Sequence, residues 1–377
     1  MKVPALDLKR QYKKVKKEIQ HNINTLCDKQ QFVLGKAVAD FERSIAAYCG
    51  TKYAVGCASG TDAILLSLII AGIKRGDEVL VPSFTFIASA EPIARLGATP
   101  VFCDIDSKTY NIDHALLEKK VTKKTKAIIV VHLYGQTADM KKIIAFAKKY
   151  KLNVIEDACQ AIGAVYGPLG KKAGSMGDLG CFSFFPSKNL GGFGDGGMII
   201  TDKKSYADTL YMLRQHGSQK KYYHTLLGMN SRLDALQATV LQVKLKYLDE
   251  WIKGRIEKAA YYDRLFKEKL ERLIVTPKVA GDNIHTYHQY VIKINDTSKK
   301  RRDELLQYLH KKGIGANIYY PEPCHLQPCF SYLGYSKGSL SVTEQTAWTT
   351  ISLPIYPELS RQEQIYIVSV IDYFLKK

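Results

Sequence analysis

Apolar residues recur along this chain with two different periods, which predict helices in some places and strands in others. In the first 50 residues, Tyr12, Val15, Ile19 and Ile23 are spaced as on one face of an amphipathic helix. Beyond them, short apolar runs alternate with helical stretches, which is typical of strand–helix–strand units. The strand candidates are residues 53–57, 78–81, 100–104, 127–132, 153–156, 179–184 and 197–201.

Seven such runs predict an α/β fold with one mostly parallel sheet and helices on both of its faces. Only the glycine-rich loop 186–196 separates the last two runs. Parallel neighbours need a longer crossover, so we expect one strand of that pair to run antiparallel.

A second, smaller domain is predicted after the sheet. Residues 233–266 have the apolar pattern of a long helix or a helix pair, and further strands are predicted at 288–293 and 316–319. We therefore predict a large domain over residues 1–249 and a smaller C-terminal α/β domain over residues 250–377.

The charge of the chain is strongly positive, at +19 from 55 Lys and Arg against 36 Asp and Glu. Three explanations of this positive charge are open. The protein could bind nucleic acid, it could be an enzyme for anionic substrates, or it could come from an organism whose proteins are generally rich in lysine. The basic residues are spread widely, and we find no single basic stripe with a known nucleic-acid-reading element. A positive field would help to capture an anionic substrate such as a nucleotide diphosphate.

The remaining bulk properties indicate a cytoplasmic protein. Hydrophobic residues make up 46% of the chain, which is enough for a core, yet no apolar run approaches the roughly 20 residues that span a bilayer. The first residues lack the apolar centre of a signal peptide. The eight cysteines show no C-x-x-C spacing, so we expect neither disulfides nor a metal site.

Lys188 lies between two contrasting segments. The apolar run 179–185 ends just before it, and a glycine-rich stretch follows. Desolvation at such a place disfavours the ammonium form, and a free amine can form a Schiff base with a carbonyl. Taken alone, Lys188 would be one more solvated loop lysine. A second motif upstream changes that interpretation.

Asp157 comes where the strand candidate 153–156 should stop. Ligands of open α/β sheets bind outside the carboxyl ends of the strands. A carboxylate there can pair with the protonated pyridine nitrogen of pyridoxal 5′-phosphate (PLP), or it can cap the next helix. An acid at one strand end and a lysine at a later one is the arrangement that a PLP enzyme needs.

A PLP site also needs a place for the phosphate. Ser59, Gly60 and Thr61 follow the strand candidate 53–57 and begin a helical pattern, and helix N-terminal amides and hydroxyls bind phosphate well. The same three residues are also common at ordinary helix starts. Ser183, among aromatic neighbours, is either a core serine or a second phosphate ligand.

Several separate motifs resemble the DegT family of nucleotide-sugar aminotransferases, which are fold-type I PLP enzymes. The resemblance covers nearly the whole chain. Its motifs stand in the family's order at residues 4–12, 82–86, 132–136, 228–238 and 320–328. It implies a PLP-dependent aminotransferase, and the sheet expected above is that of fold-type I.

The resemblance implies roles for the residues around the cofactor ring. Lys188 corresponds to the lysine that forms the Schiff base with PLP, and Asp157 to the acid at the pyridine nitrogen. Gln160 corresponds to the amide near the ring's O3′ atom, and Phe86 to the aromatic residue that stacks on the ring. A deoxygenating branch of the family has histidine at the lysine position, so Lys188 favours amino transfer.

Other matching positions imply a shared site in a homodimer. Gly60, Thr61 and Ser183 correspond to phosphate-binding residues, and Asn230 to a residue that family dimers donate to the partner's phosphate. Without a partner, Asn230 would be a helix cap.

The substrate residues implied by the resemblance are Lys220, Tyr222 and His325. Lys220 and Tyr222 fall in a segment that contacts the nucleotide diphosphate in relatives. His325 corresponds to a histidine near the sugar, where it would orient a hydroxyl or take part in proton transfer. It would equally serve as a polar lid residue.

The resemblance is nearest to members that aminate C3 of dTDP-linked 6-deoxy-keto-hexoses, with an amino acid, most simply L-glutamate, as the donor. Two alternatives remain open. One is a C4 aminotransferase acting on a UDP- or GDP-keto-sugar. The other is a non-catalytic regulator that binds nucleic acid through the chain's positive charge.

Overall fold

Seven strands form the central sheet of the protein in a computed structural model that describes residues 1–296 and 298–376. Three shorter sheets accompany it. The strands are β1 (Tyr53–Cys57), β2 (Glu78–Pro82), β3 (Thr99–Cys103), β4 (Thr125–Val131), β5 (Asn153–Asp157), β6 (Val165–Tyr166), β7 (Lys171–Lys172), β8 (Leu179–Ser183), β9 (Gly197–Thr201), β10 (Ser218–Lys220), β11 (Tyr223–His224), β12 (Ile274–Val275), β13 (Tyr290–Ile294) and β14 (Thr350–Leu353).

Helices cover the central sheet and build most of the rest of the chain. They are α1 (Leu8–Lys29), α2 (Gly35–Cys49), α3 (Gly60–Ile70), α4 (Glu91–Arg95), α5 (Met140–Tyr150), α6 (Lys204–Leu213), α7 (Ala235–Leu245), α8 (Leu248–Leu270), α9 (Lys299–Lys311), α10 (Ser341–Thr349) and α11 (Arg361–Leu375).

The central sheet has the strand order β1-β9-β8-β5-β4-β2-β3. Only β9 runs antiparallel to its neighbours, β1 and β8, among the pairings described for this sheet. The predicted seven-stranded, mostly parallel sheet is therefore confirmed, as is one antiparallel strand in the last pair. All seven strand candidates are present, with ends that differ from the predicted ones by at most two residues.

Both faces of the sheet carry apolar side chains, and helices cover both faces. Val55, Val81 and Ile129 belong to one buried cluster, and Ile128 and Val130 of β4 belong to another on the opposite face. Successive strand residues point to opposite faces, so a strand covered on both sides reads as a continuous apolar run. This is why the runs were visible in the sequence.

A separate apolar core lies in the C-terminal part of the chain. It includes Tyr262, Tyr290, Leu305, Ile351 and Ile367, from α8, β13, α9, β14 and α11. Helix α8 joins this core to the sheet, because its first residue packs with α2 and α7 while its second half packs against β13. The division at residues 249 and 250 stays a prediction.

Two element predictions in this region had different outcomes. The pattern at 233–266 was predicted to be a long helix or a helix pair, and it is a helix pair, α7 and α8. The strand predicted at 316–319 is wrong. In that stretch only Asn317 pairs, with Ser352, and β14 supplies the strand beside β13 instead. Pro321 follows shortly after, and a proline has no N–H with which to continue a ladder.

Candidate active site

The carboxyl ends of β1, β2, β5 and β8 lie at the same edge of the central sheet, because these strands run in the same direction. Residues that were far apart in the sequence meet there around a cavity of about 440 Å³. Of the predicted cofactor residues, the cavity is lined by Ser59, Gly60, Thr61, Phe86, Asp157, Gln160, Ser183 and Lys188.

Asp157 is the last residue of β5 and is almost completely buried at 6% exposure. One carboxylate oxygen, Oδ2, accepts a hydrogen bond from the Ser89 hydroxyl at 2.6 Å. The other, Oδ1, accepts from the backbone N–H of Cys159 at 3.1 Å. A carboxylate has about four acceptor positions, so these two bonds leave room for a donor from the cavity.

Lys188 follows β8 and borders the cavity, where it is half-buried. Desolvation by the surrounding protein lowers the pKa of Lys188 below its usual 10.5, although nearby Cys159 and Asp157 oppose the shift. The Lys188 backbone N–H donates to Phe185 O at 2.8 Å, which turns the chain at the end of the strand. This amine loses its proton more easily than a surface lysine, as a Schiff-base lysine must.

The loop that carries Lys188 is tied to the second core. The next residue, Asn189, is buried, and its amide Nδ2 donates to Thr286 O at 3.2 Å. Its Oδ1 lies 3.4 Å from Nδ1 of His288, which also lines the cavity. Burial lowers the pKa of His288 well below its ordinary value, and nearby Lys188 adds to the shift, so His288 is neutral.

The N-terminus of α3 also borders the cavity. Ser59 caps the helix by accepting from Asp62 N at 3.1 Å, which places the amides of Gly60 and Thr61 in the first turn. First-turn amides have no partner within their own helix and are free to bind an anion. A Cβ at Gly60 would come within 2.7 Å of the Ser183 Cβ, so only glycine lets the helix and β8 approach this closely.

Gln160 is held in one orientation by two hydrogen bonds. Its Oε1 accepts from Tyr134 N at 2.8 Å, and its Nε2 donates to the Tyr320 hydroxyl at 2.9 Å. Tyr320 in turn faces Phe86, with ring centroids 5.9 Å apart. Phe86 is exposed by 54%, so its ring remains available for contact with a ligand in the cavity.

The residues that line this cavity fit PLP. A lysine with a lowered pKa, a buried acid with free acceptor positions, an aromatic face and a helix N-terminus suit the cofactor's aldehyde, ring nitrogen, ring and phosphate. Within residues 1–296 and 298–376, no group of three or more His, Cys, Asp or Glu is arranged to hold a metal ion.

His325 does not line the cavity. It is buried at 1% exposure, its Nδ1 is 2.7 Å from Ser83 Oγ, and its Nε2 is 3.2 Å from Glu344 Oε1. Burial lowers the pKa of His325, against the opposing effect of Glu344. Both ring nitrogens therefore have partners inside the protein, and the role predicted for His325 at the sugar stays a prediction.

The remaining predicted residues also lie outside the cavity of their own chain. Lys220 ends β10, and Tyr222 stands at the tip of the β10–β11 hairpin with 80% of its surface exposed. Asn230 is exposed as well and pairs through its backbone with Gln215. Exposed residues of this kind are accessible to a second chain, as the resemblance requires, and their roles stay predictions.

The structure adds cavity residues that the sequence did not indicate. They include Thr85, Ser89, His288, Tyr319 and Tyr320. Thr85 lies inside a family motif already noted, and Tyr319 stands directly before another, so proximity to a motif was the available signal. His288 had no such signal, because chain topology alone brings the start of β13 to the lysine loop.

The chain matches the DegT/DnrJ/EryC1/StrS aminotransferase family over residues 13–372. It is 49% identical to a protein of Geobacillus stearothermophilus named pleiotropic regulatory protein, over 100% of this chain and 99% of the relative. It is 44% identical to the dTDP-3-amino-3,6-dideoxy-alpha-D-galactopyranose transaminase of Aneurinibacillus thermoaerophilus, over 99% of both chains.

Solved structures agree with the sequence comparisons. The fold matches Streptomyces venezuelae DesV, solved with a ketimine intermediate, with a TM-score of 0.95 and 39% identity over 100% of this chain and 99% of that one. Solved relatives include forms that contain PLP or pyridoxamine phosphate, so the cofactor prediction is confirmed. The chain belongs to the DegT/DnrJ/EryC1/StrS family of PLP-dependent sugar-nucleotide aminotransferases.

Proposed function

We propose that this enzyme moves an amino group from L-glutamate to the C3 keto group of a dTDP-linked 6-deoxy-keto-hexose. The product would be a 3-amino-3,6-dideoxy sugar nucleotide for surface polysaccharide or glycoside synthesis. The observation that carries the proposal is the convergence of Lys188 and Asp157 on one cavity in a chain 44% identical to a dTDP-3-amino sugar transaminase.

Lys188 and Asp157 hold the two proton positions that amino transfer needs. PLP, when bound, supplies the electron sink for the reaction. The Nζ atom of Lys188, whose pKa burial lowers, would move a proton from the donor carbon to the cofactor in the first half of the reaction, and from the cofactor to the sugar carbon in the second half. Asp157 keeps a proton on the ring nitrogen, which maintains the ring's electron deficiency.

Three further groups orient the cofactor. Phe86 stacks on one face of the ring, and the Gln160 amide, fixed by Tyr134 and Tyr320, has a second N–H available for the ring oxygen. The first turn of α3 and the hydroxyl of Ser183 bind the phosphate. Orientation of this kind lowers the barrier because the reacting atoms are held in place before reaction.

The cavity walls support an acceptor without a carboxylate on the sugar. Lys188 is the one lysine or arginine among the cavity-lining residues, all of which lie in the described part of the chain, and Lys188 is engaged by the cofactor. The aromatic side chains of Phe86, Phe185 and Tyr320 form part of the remaining wall. Such a surface suits the methyl group of a 6-deoxy sugar better than the carboxylate of a uronate.

The nucleotide would be bound between two subunits of a homodimer. Lys220, Tyr222 and Asn230 are exposed and lie outside their own cavity, which supports their contribution to a partner's site. A lysine and an aromatic ring suit a diphosphate and a base. Within the described residues, no helix combines the length and apolar character needed to cross a bilayer, and we propose that the dimer works in the cytoplasm.

The proposal is tested by supplying purified enzyme with L-glutamate and a panel of keto-sugar nucleotides. The panel contains dTDP-linked 3-keto- and 4-keto-6-deoxyhexoses and a UDP-linked 3-keto-sugar, and mass spectrometry measures the amino-sugar formed. We expect the dTDP-3-keto compound to have the highest kcat/KM. Turnover of the 4-keto compound alone would establish the C4 alternative instead.

A regulatory role is the second candidate, because the 49% identical relative is named a regulator and the net charge is +19. The lysine, acid and helix N-terminus at the cavity argue against a purely regulatory protein. A salt-sensitive gel shift with DNA, from a protein that has no absorbance band at roughly 410–430 nm after incubation with PLP, would favour the regulator.

A further inference from the structure

Two buried hydroxyls form consecutive hydrogen bonds that end at the Asp157 carboxylate. Ser89 Oγ donates to Asp157 Oδ2 at 2.6 Å, and Thr85 Oγ1 lies 2.9 Å from Ser89 Oγ. Ser89 is 1% exposed and Thr85 is 3% exposed. Neither side chain was predicted as part of the site, and a distance of 2.6 Å is typical of a hydroxyl bound to an ionised carboxylate.

The direction of both hydrogen bonds follows from the number of protons. An ionised Asp157 has no proton to donate, so Ser89 must be the donor to it. A serine hydroxyl has a single proton, and Ser89 donates it to Asp157. In its hydrogen bond with Thr85, Ser89 must therefore be the acceptor and Thr85 the donor. Both O–H groups therefore point toward the carboxylate, and Thr85 fixes the orientation of the Ser89 hydroxyl that donates to it.

The short segment that carries these hydroxyls also carries the ring-stacking residue. Phe86 lies between Thr85 and Ser89, and the segment is closed by a backbone hydrogen bond from Ser89 N to Phe86 O at 3.1 Å. The residue on the ring face and the residues that support the acid are therefore fixed by one turn of chain. A shift of this turn would move both contacts to the cofactor together.

We propose that Ser89 and Thr85 are positioning residues that hold the Asp157 carboxylate in place and direct it at the ring nitrogen of the cofactor. The inference rests on the proposed function, because it concerns the same acid and the same ring. Ser89 and Thr85 act through Asp157 and are not catalytic residues. Their effect should therefore depend on the presence of a ring nitrogen.

The test compares two ligands that differ only at that nitrogen. Apoenzyme is titrated by absorbance and fluorescence with PLP and with its 1-deaza analogue, in which carbon replaces the ring nitrogen. We expect Ser89→Ala to weaken PLP binding about 10- to 100-fold, as for loss of a hydrogen bond to a charged group. Thr85→Val should weaken it less, by about 2- to 10-fold. With the deaza analogue, both variants should bind within about 2-fold of the unchanged protein.

Two further variants separate the hydrogen bond from packing. Ser89→Cys keeps the side-chain volume but has a weak donor, so it should behave like Ser89→Ala. Thr350→Val removes a buried hydroxyl that donates to Thr346 O at 2.8 Å and has no contact with Asp157. It should leave the affinity for both ligands unchanged.

Equal losses for PLP and the deaza analogue would overturn the inference, because they would show a structural defect. Unchanged PLP binding by Ser89→Ala would overturn it as well, while leaving the proposed function intact. If the unchanged protein bound neither ligand, the proposed function would fail, and this inference with it.

Discussion

Lys188 illustrates at the scale of one residue how a reactive group opposes folding. Desolvation lowers the pKa of its amine from the usual 10.5, so between the lowered pKa and 10.5 the unfolded chain binds more protons than the folded one. The free energy of unfolding contributed by this residue therefore rises with pH across that window. At neutral pH this desolvated amine lowers the stability of the protein without cofactor.

Lys188→Met should therefore stabilise the apoprotein at pH 7, by about 1–3 kcal/mol, because methionine removes a poorly solvated amine. The gain should shrink as the pH approaches 10.5, where the unfolded lysine also becomes neutral. Urea unfolding of both apoproteins at pH 7 and pH 10 measures it.

Lys123→Met is the matched control, because Lys123 is exposed and should show no such pH-dependent gain. If Lys188→Met were equally or less stable than the unchanged protein at pH 7, burial would not be the main influence on this amine. The same variant should also have lost its aminotransferase activity, whatever its stability.

At this scale the sequence predicted the residues that stand at strand ends. Lys188 and Asp157 could be found because an apolar run stops beside each of them. Ser89 and His288 could not, because their importance depends on which atoms they meet in space. His325 shows the opposite case, since its motif was visible but its two partners, Ser83 and Glu344, enclose it.

At the scale of elements, β5 carries two adjacent acids with different surroundings. Asp157 faces the cavity, while Glu156 is fully buried on the other side of the strand. Glu156 accepts from His132 Nε2 at 2.7 Å and from three backbone N–H groups of the turn before β8, those of Gly174, Met176 and Gly177. Glu156 thereby attaches this turn to the centre of the sheet.

Glu156→Gln should destabilise the protein by about 2–4 kcal/mol, because an amide cannot accept from all four donors and buried donors lose their partners. Urea denaturation at pH 7 measures the change. Glu118→Gln is the control, since Glu118 pairs with Lys149 at the surface, and its change should leave stability nearly the same. Similar stabilities for the two variants would contradict the anchoring role.

Element positions followed from the sequence wherever burial on both faces made an apolar run. Strand β1, for example, has the bounds predicted for it. The strand predicted at 316–319 failed because only Asn317 of that stretch pairs with the outer edge of β14, and Pro321 follows before a ladder can extend. A run of β-prone residues does not by itself show how many of them find a partner on the neighbouring strand.

For the whole molecule, the proposed dimer gives a role to residues that lie exposed, outside the cavity of their own chain. The segment between β11 and Asn230 exposes Leu226 by 39% and Leu227 by 98%, beside the exposed Tyr222. Apolar side chains this exposed are typical of a surface that a partner covers. The same surface carries the residues expected at the partner's nucleotide and phosphate.

Two defective chains should therefore restore activity when they form mixed dimers. Lys188→Ala removes the amine of one subunit, and a chain with Asn230→Ala and Lys220→Ala fails to complete its partner's site. Co-refolded at equal amounts, they should recover up to about a quarter of wild-type activity, since half of the dimers then have one complete site. Activity assays of the refolded mixture against each chain alone provide the measurement.

Wild-type chain mixed with a chain that carries all three substitutions is the control for this experiment. Shared sites would leave those mixed dimers without any complete site, whereas independent sites would leave one. Wild-type homodimers alone supply about a quarter of the activity in this control, so about half of wild-type activity there, with none in the first mixture, would show that each subunit works alone. This arrangement was predicted from the resemblance, because spacing within one chain has no signal for contacts between two.

The neighbouring acids of β5 also limit how this strand can change during evolution. Side chains alternate between the faces of a sheet. A shift of β5 by one position would therefore turn Glu156 toward the cavity and Asp157 toward the buried side of the strand. Inserting or deleting a single amino acid in β5 would therefore remove two contacts at once. The turn before β8 would lose its hydrogen bonds to Glu156, and the ring nitrogen of the cofactor would lose Asp157. Length variation should be tolerated in the surface loops but not in this strand.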